Sequence, residues 1–198
     1  MNTFNFSTDF TLENNRVQLR PLVKTDIALL LPFSLKEPSL WKYSITSAAG
    51  EEALTSYVES ALALRETEKG YPFLVYDKQH QLVAGCTRFY GMDFYHNTLS
   101  LGYTWYGEKL QRTGLNRNCK LLLLTYAFEE LKMERVEFRA DARNNRSIEA
   151  MKAIGCTLEG TLRNNCTADI GRRDSVVLSI LKEEWEAGLK QKLIEKIH

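Results

Sequence analysis

Residues 99–131 read LSLGYTWYGEKLQRTGLNRNCKLLLLTYAFEEL, and this stretch decides the fold. Its first part alternates Leu99, Leu101, Tyr103 and Trp105 with smaller residues, a period-two pattern rich in aromatics that predicts a strand. Its last part places Leu121, Leu124, Phe128 and Leu131 at spacings of three and four, which predicts a helix. The polar turn Gln111-Arg112-Thr113-Gly114-Leu115-Asn116 lies between them. A chain entering a helix leaves its first backbone N–H groups without intrahelical partners, and they point the same way as the positive end of the helix dipole. Such a corner binds anions, phosphate above all, and Gly114 lets the backbone come close to one. A strand, a polar turn with one glycine and a helix also describe an ordinary βα corner, and both readings stand on these residues alone.

Outward from this stretch, the 198 residues suffice for one domain with a real core. Composition is 44% hydrophobic and 26% charged, with a formal net charge of +1. These values fit an ordinary globule and predict neither a nucleic-acid partner nor an acidic membrane surface. Cys86, Cys119, Cys156 and Cys166 are dispersed, without Cys-x-x-Cys spacing or a nearby histidine, so neither a zinc site nor a disulfide framework is expected. No apolar run approaches the ~20 residues of a membrane span. With no signal peptide read at the start, the expected compartment is the cytoplasm.

In chain order, residues 1–15 read as a loose lead-in and 16–198 as a single domain. Arg16–Leu22 reads as an edge strand stopped by Pro21, and Thr25-Asp26 as the cap of a helix that Pro32 interrupts. Gly50–Lys69 reads as a helix closed by Gly70. Tyr71–Tyr76 and Leu82–Tyr90 form a hairpin that leads into the central strand. Beyond the central helix come a strand at Arg135–Asp141 and a helix at Asn144–Ile154. Strands at Thr157–Arg163 and Ser175–Leu181 follow around a turn at Ala168–Asp174. A charged amphipathic helix at Glu183–Ile197 carries a stripe of Trp185, Leu189, Leu193 and Ile197.

Gln111-x-x-Gly114-x-Asn116 between such a strand and helix resembles the acetyl-coenzyme A motif of the GNAT N-acetyltransferases, Gln/Arg-x-x-Gly-x-Gly/Ala. Asn116 departs from it at the last position, as in the branch that resembles ribosomal-protein N-terminal (alanine) acetyltransferases. Residues 135–160, RVEFRADARNNRSIEAMKAIGCTLEG, resemble the second half of that fold through Asn144, Ser147 and the pair Ile154-Gly155. The resemblance spans roughly residues 16–185 and is specific from Leu101 to Gly160. It implies an α+β domain with a mixed, mostly antiparallel central sheet and helices on both faces.

It also implies transfer of an acetyl group from acetyl-CoA, without a metal, to a primary amine of a small molecule, a peptide or a protein N-terminus. The backbone of Arg112 to Arg117 (Arg112, Thr113, Gly114, Leu115, Asn116, Arg117) would hold the diphosphate, with Gln111 opening the motif and the Arg112 side chain in support. The free N–H groups of a splayed central strand at Thr104, Trp105 and Tyr106 would meet the pantetheine arm and the thioester. The side chains of Trp105 and Tyr106 read as core. Many GNAT enzymes place a tyrosine four residues before the helix-ending glycine to protonate the leaving thiolate. Here that residue is Met151, and Ser147, one turn earlier on the same face, is the substitute. Ser147 also reads as an early-helix serine satisfying the backbone, and Asn144 as a cap compatible with a cofactor contact.

Glu137, Glu108, Asp93 and Tyr103 are candidate bases, with Glu137 placed first as a strand carboxylate beside the cleft. His80 and His96 fall in turns at the surface. Acceptor choice is expected to lie in Leu35–Gly70 and the last hairpin. The alternative function is a non-catalytic CoA-binding regulatory module, kept open by Met151. The chain is expected to be a monomer or a homodimer.

Overall fold

The computed structural model describes residues 4–197. Its strands are β1 (Leu12–Glu13), β2 (Val17–Pro21), β3 (Gly70–Asp77), β4 (Leu82–Asp93), β5 (Thr98–Tyr106), β6 (Arg135–Asp141), β7 (Thr157–Ala168) and β8 (Gly171–Leu181). They form one sheet in the order β1-β2-β3-β4-β5-β6-β8-β7. Every neighbouring pair is antiparallel except β5 and β6, which run parallel.

Both faces of the sheet are covered. On one, Leu30 of helix α1 (Ile27–Lys36) and Leu54, Tyr57 and Val58 of α2 (Glu51–Glu66) cluster with Leu74, Cys86 and Trp105. On the other, Leu115, Cys119 and Leu123 of α3 (Leu115–Thr125) and Ile148 and Met151 of α4 (Asn145–Ala153) cluster with Phe73, Phe89 and Phe138. Chain neighbours Phe73 and Leu74 enter opposite clusters, as do Trp105 and Tyr106, because strand side chains alternate between faces. Each fully buried Leu or Phe contributes about 1.5–3 kcal/mol. The result is a single-domain α+β fold, mostly antiparallel, as the sequence predicts.

Several boundaries differ from the sequence expectation, each for a local reason. The lead-in is tied down rather than loose, at least from Phe4 onward; residues 1–3 lie outside the described residues. Phe10 stacks on Tyr71 and on Tyr126, Arg65 Nε donates to Phe6 O at 2.7 Å, and β1 pairs with β2. β2 is therefore not the outermost strand. Pro32 lies inside α1, which runs on to Lys36. α2 stops at Glu66 where Glu68 turns to φ 57°, and Gly70 instead opens β3, where a Cβ would stand 2.7 Å from Phe89 O. β7 and β8 extend to a tight turn at residues 169–170. The C-terminal stretch runs through Lys182–Glu184, Trp185–Leu189 and Lys190–Glu195, with Gly188 at φ 121°. Trp185 and Leu193 of the apolar stripe are buried against the chain's own core.

Candidate functional site

β5 and β6 pair over three positions only, Thr98 with Arg135, Leu99 with Val136 and Ser100 with Glu137. Beyond them β5 runs on to Tyr106 and β6 to Asp141 without further pairing, so the strands part into a wedge. The cause is visible in β5 itself. Its register against β4 slips between Cys86 and Arg88, and Tyr103 there adopts φ 51°, a left-handed conformation inside a strand. A bulge of this kind bends the strand that carries it. On the other edge β4 holds β5 tightly, for a Cβ on Gly85 would lie 2.0 Å from Trp105 O. Backbone donors on the β6 side of β5, from Leu101 onward, thus face the wedge rather than a strand.

The turn at the mouth of the wedge is braced from three sides. Gln111 Nε2 donates to Tyr106 O at 2.9 Å, and Thr113 Oγ1 donates to Leu110 O at 2.8 Å. Tyr106 Oη donates to Asn116 Oδ1 at 3.2 Å, while Arg16 Nη2 reaches Thr113 Oγ1 at 3.3 Å. Arg112 adopts φ 64° and Gly114, at the N-cap of α3, φ 84°. Two left-handed residues this close fold successive amides into a concavity. The amide of Asn118 makes the first bond back into the helix, to Gly114 O at 3.2 Å, so those of Leu115 to Arg117 precede the ladder. Nothing lies within 4 Å of a Cβ built on Gly114. The concavity is open where a side chain would intrude, and its donors suit a diphosphate.

Across the wedge, Asn144 caps α4 by accepting from the Ser147 amide at 3.1 Å. The half-buried Ser147 hydroxyl has no hydrogen-bond partner among the described residues. Its chain neighbour Arg146 donates from Nη1 to Gln111 Oε1 at 2.6 Å, which ties α4 to the cradle turn. Met151 is buried.

A family model described as "Acetyltransferase (GNAT) domain" matches residues 16–157. The chain belongs to the GNAT acetyltransferase family. YdaF of Bacillus subtilis (strain 168), whose name assigns it provisionally to ribosomal N-acetylation, is 31% identical over 113 residues, 57% of this chain and 60% of YdaF. The chain therefore aligns with less than two thirds of that curated relative. A crystal structure of an acetyltransferase, provisionally so described, from T. thermophilus is 32% identical with a TM-score of 0.86, covering 97% of this chain and 99% of that one. RimL, titled a ribosomal L7/L12 alpha-N-protein acetyltransferase in complex with coenzyme A, shares the fold at a TM-score of 0.76 and 16% identity, over 88% and 99% of the two chains.

In this GNAT domain Thr104, Trp105 and Tyr106 lie on β5, Gln111 through Arg117 on the turn and first residues of α3, and Asn144 and Ser147 at the start of α4. Glu137 is placed differently from the expectation. Its two oxygens accept from Arg135 Nη2 at 3.0 Å and Arg139 Nε at 2.7 Å. Both of its oxygens are thus engaged by guanidinium groups of its own strand. Glu108 accepts from Ser39 and Asp93 caps the Tyr95 and His96 amides, both at the surface.

Sequence reasoning missed Lys120. It is buried on α3, donates to Thr104 Oγ1 at 3.0 Å, lies 5.8 Å from the Phe138 ring centroid and has no carboxylate partner among the described residues. Burial pushes its pKa down to about 8. A signal was present, because Lys120 lies in helical register with Leu124, Ala127 and Leu131.

Proposed function

We propose that this chain transfers the acetyl group of acetyl-CoA to a primary amine by direct attack. The observation that carries the reading is the wedge between β5 and β6, which ends at a Gly114-capped helix start on the same path. Bound acetyl-CoA would supply an activated thioester. The amides of Arg112 to Arg117 hold its diphosphate, and β5 donors at Thr104 to Tyr106 polarise the thioester carbonyl. The unpartnered Ser147 hydroxyl gives a proton or a hydrogen bond to the departing sulfur. The names of YdaF and RimL favour a protein N-terminus as acceptor, with amino acids, peptides and small amines in the same class. A monomer, or a homodimer, in the cytoplasm fits this role.

Met151 favours a second reading, a CoA-binding module that regulates without turnover. Free-thiol release with a panel of amines separates the two: CoA binding without thiol release supports the module. Ser147→Ala then tests the mechanism by single-turnover kinetics at saturating amine. A proton-donor role predicts a rate loss of about 100-fold, or ~2.7 kcal/mol of barrier, with unchanged CoA affinity. A loss seen only in binding or thermal stability marks Ser147 as structural.

A further inference from the structure

On the face of the sheet opposite α3, α2 and the β4–β5 ribbon border an open cavity of about 450 Å³. Its lining includes Arg88, Lys69, Tyr57, Tyr103, Thr46 and Ser60, and no aspartate or glutamate. Arg88 sits on β4 opposite Gly102 and is only 3% exposed. Its guanidinium carbon lies 4.0 Å from the Tyr103 ring centroid and 4.8 Å from that of Tyr57. The two rings stabilise the cation and fix its plane. Tyr57 Oη is in turn tied to Tyr103 O at 3.2 Å. No ion pair is made by Arg88 among the described residues, although buried cations ordinarily have one.

Two cations and several hydroxyls without an acid make a site for an anion, and a planar guanidinium fork suits a carboxylate held through two hydrogen bonds. The volume suits a small molecule or the first residues of a peptide. Tyr103, which makes one wall, is also the bulge residue that opens the β5–β6 wedge. The anion site therefore adjoins the path assigned to the thioester.

We infer that this cavity receives the amine acceptor and that Arg88, backed by Lys69, selects acceptors bearing a carboxylate near the reacting amine. The inference rests on the acetyl-transfer reading above. The carboxylate has two possible sources, the α-carboxylate of a free amino acid or the acidic side chain of a peptide N-terminus. Matched pairs tell them apart: glycine against glycinamide, and Asp-Ala-amide against Asn-Ala-amide, compared by kcat/KM from thiol release.

In the wild-type chain the carboxylate member of one pair should lead by about 10- to 100-fold, as for a charge-assisted hydrogen bond. That ratio should collapse toward one in Arg88→Gln and fall several-fold in Lys69→Gln, whose exposed side chain can be changed without risk to folding. Equal rates for both members in the wild type would overturn the inference. So would an Arg88→Gln variant that slows both members alike. A second arm needs no turnover: succinate should raise the melting temperature of the wild type and not that of either variant. Succinate stabilisation without thiol release would preserve the anion site and sink the acetyl-transfer reading. No stabilisation and no carboxylate preference, with glycinamide still acetylated, would do the reverse.

Discussion

Around β2 and β3 the buried carboxylates have guanidinium partners, whereas two buried cations flanking the β5 wedge make no ion pair among the described residues. Asp77, fully buried, is paired with Arg16 and accepts from His80, and Asp26 takes both arms of Arg20 at 2.8 and 2.5 Å. Lys120 on one face and Arg88 on the other are 4% and 3% exposed, Lys120 donating to Thr104 Oγ1 and Arg88 lying over the Tyr103 ring. The same contrast holds for glycine. On the β4 edge of β5 a Cβ on Gly85 would run into Trp105 O, while Gly114 at the wedge mouth faces open space. Ion pairing serves stability around β2 and β3, and close approach does so on the β4 edge of β5. At the wedge both are withheld where, on the reading proposed above, a ligand would bring its own charge and volume.

Four substitutions break or sharpen this contrast. The largest loss is expected for Asp77→Ala, which strands Arg16 and releases the amides of Gln79 and His80. Urea titration should show a loss of about 3–5 kcal/mol. Gly85→Ala should cost roughly 3 kcal/mol by the same measurement, since overlap and φ 152° both oppose the methyl group.

Lys120→Met carries the opposite sign. Burial lowers the folded-state pKa from 10.5 to about 8, so below pH 8 both states are protonated and the lysine costs its full desolvation, roughly 3 kcal/mol. Between pH 8 and 10.5 the unfolded chain binds the extra proton, the wild type gains stability as pH rises, and its deficit against Lys120→Met closes. Destabilisation by methionine at pH 7 would erase the contrast. The smallest change in stability, about 1–2 kcal/mol, belongs to Gly114→Val, from its φ of 84° alone. Calorimetric titration should nevertheless show clearly weakened CoA binding, and unchanged affinity would remove the diphosphate cradle from this turn.

The parts legible in the sequence are those set by local rules. β6 coincides with the expected Arg135–Asp141, because alternation of Val136, Phe138 and Ala140 with charged residues needs no tertiary information. Asn144 as a cap and the Gln111–Asn116 corner were legible for the same reason. The lead-in was not, since Phe4 and Phe10 find their partners on β3 and beyond α3, distant in sequence. The ion pairing of Glu137 was illegible because Arg135 and Arg139, on the same strand face two residues away on either side, read equally well as solvated charge. Arg88 follows Thr87 and precedes Phe89 in a strand buried on both faces, where alternation gives no sign of depth.

The four thiols give the molecule a further property. Cys86, Cys119 and Cys156 are buried and Cys166 is partly open. Burial holds Cys119 and Cys156 near a pKa of about 12 and raises Cys86 as well, so these sulfurs stay protonated and slow toward disulfide reagents. A native chain then reports one rapidly reacting sulfur, and three more appear only as it opens. The chain carries its own internal clock for unfolding, readable with the same colorimetric reagent that follows release of the CoA thiol.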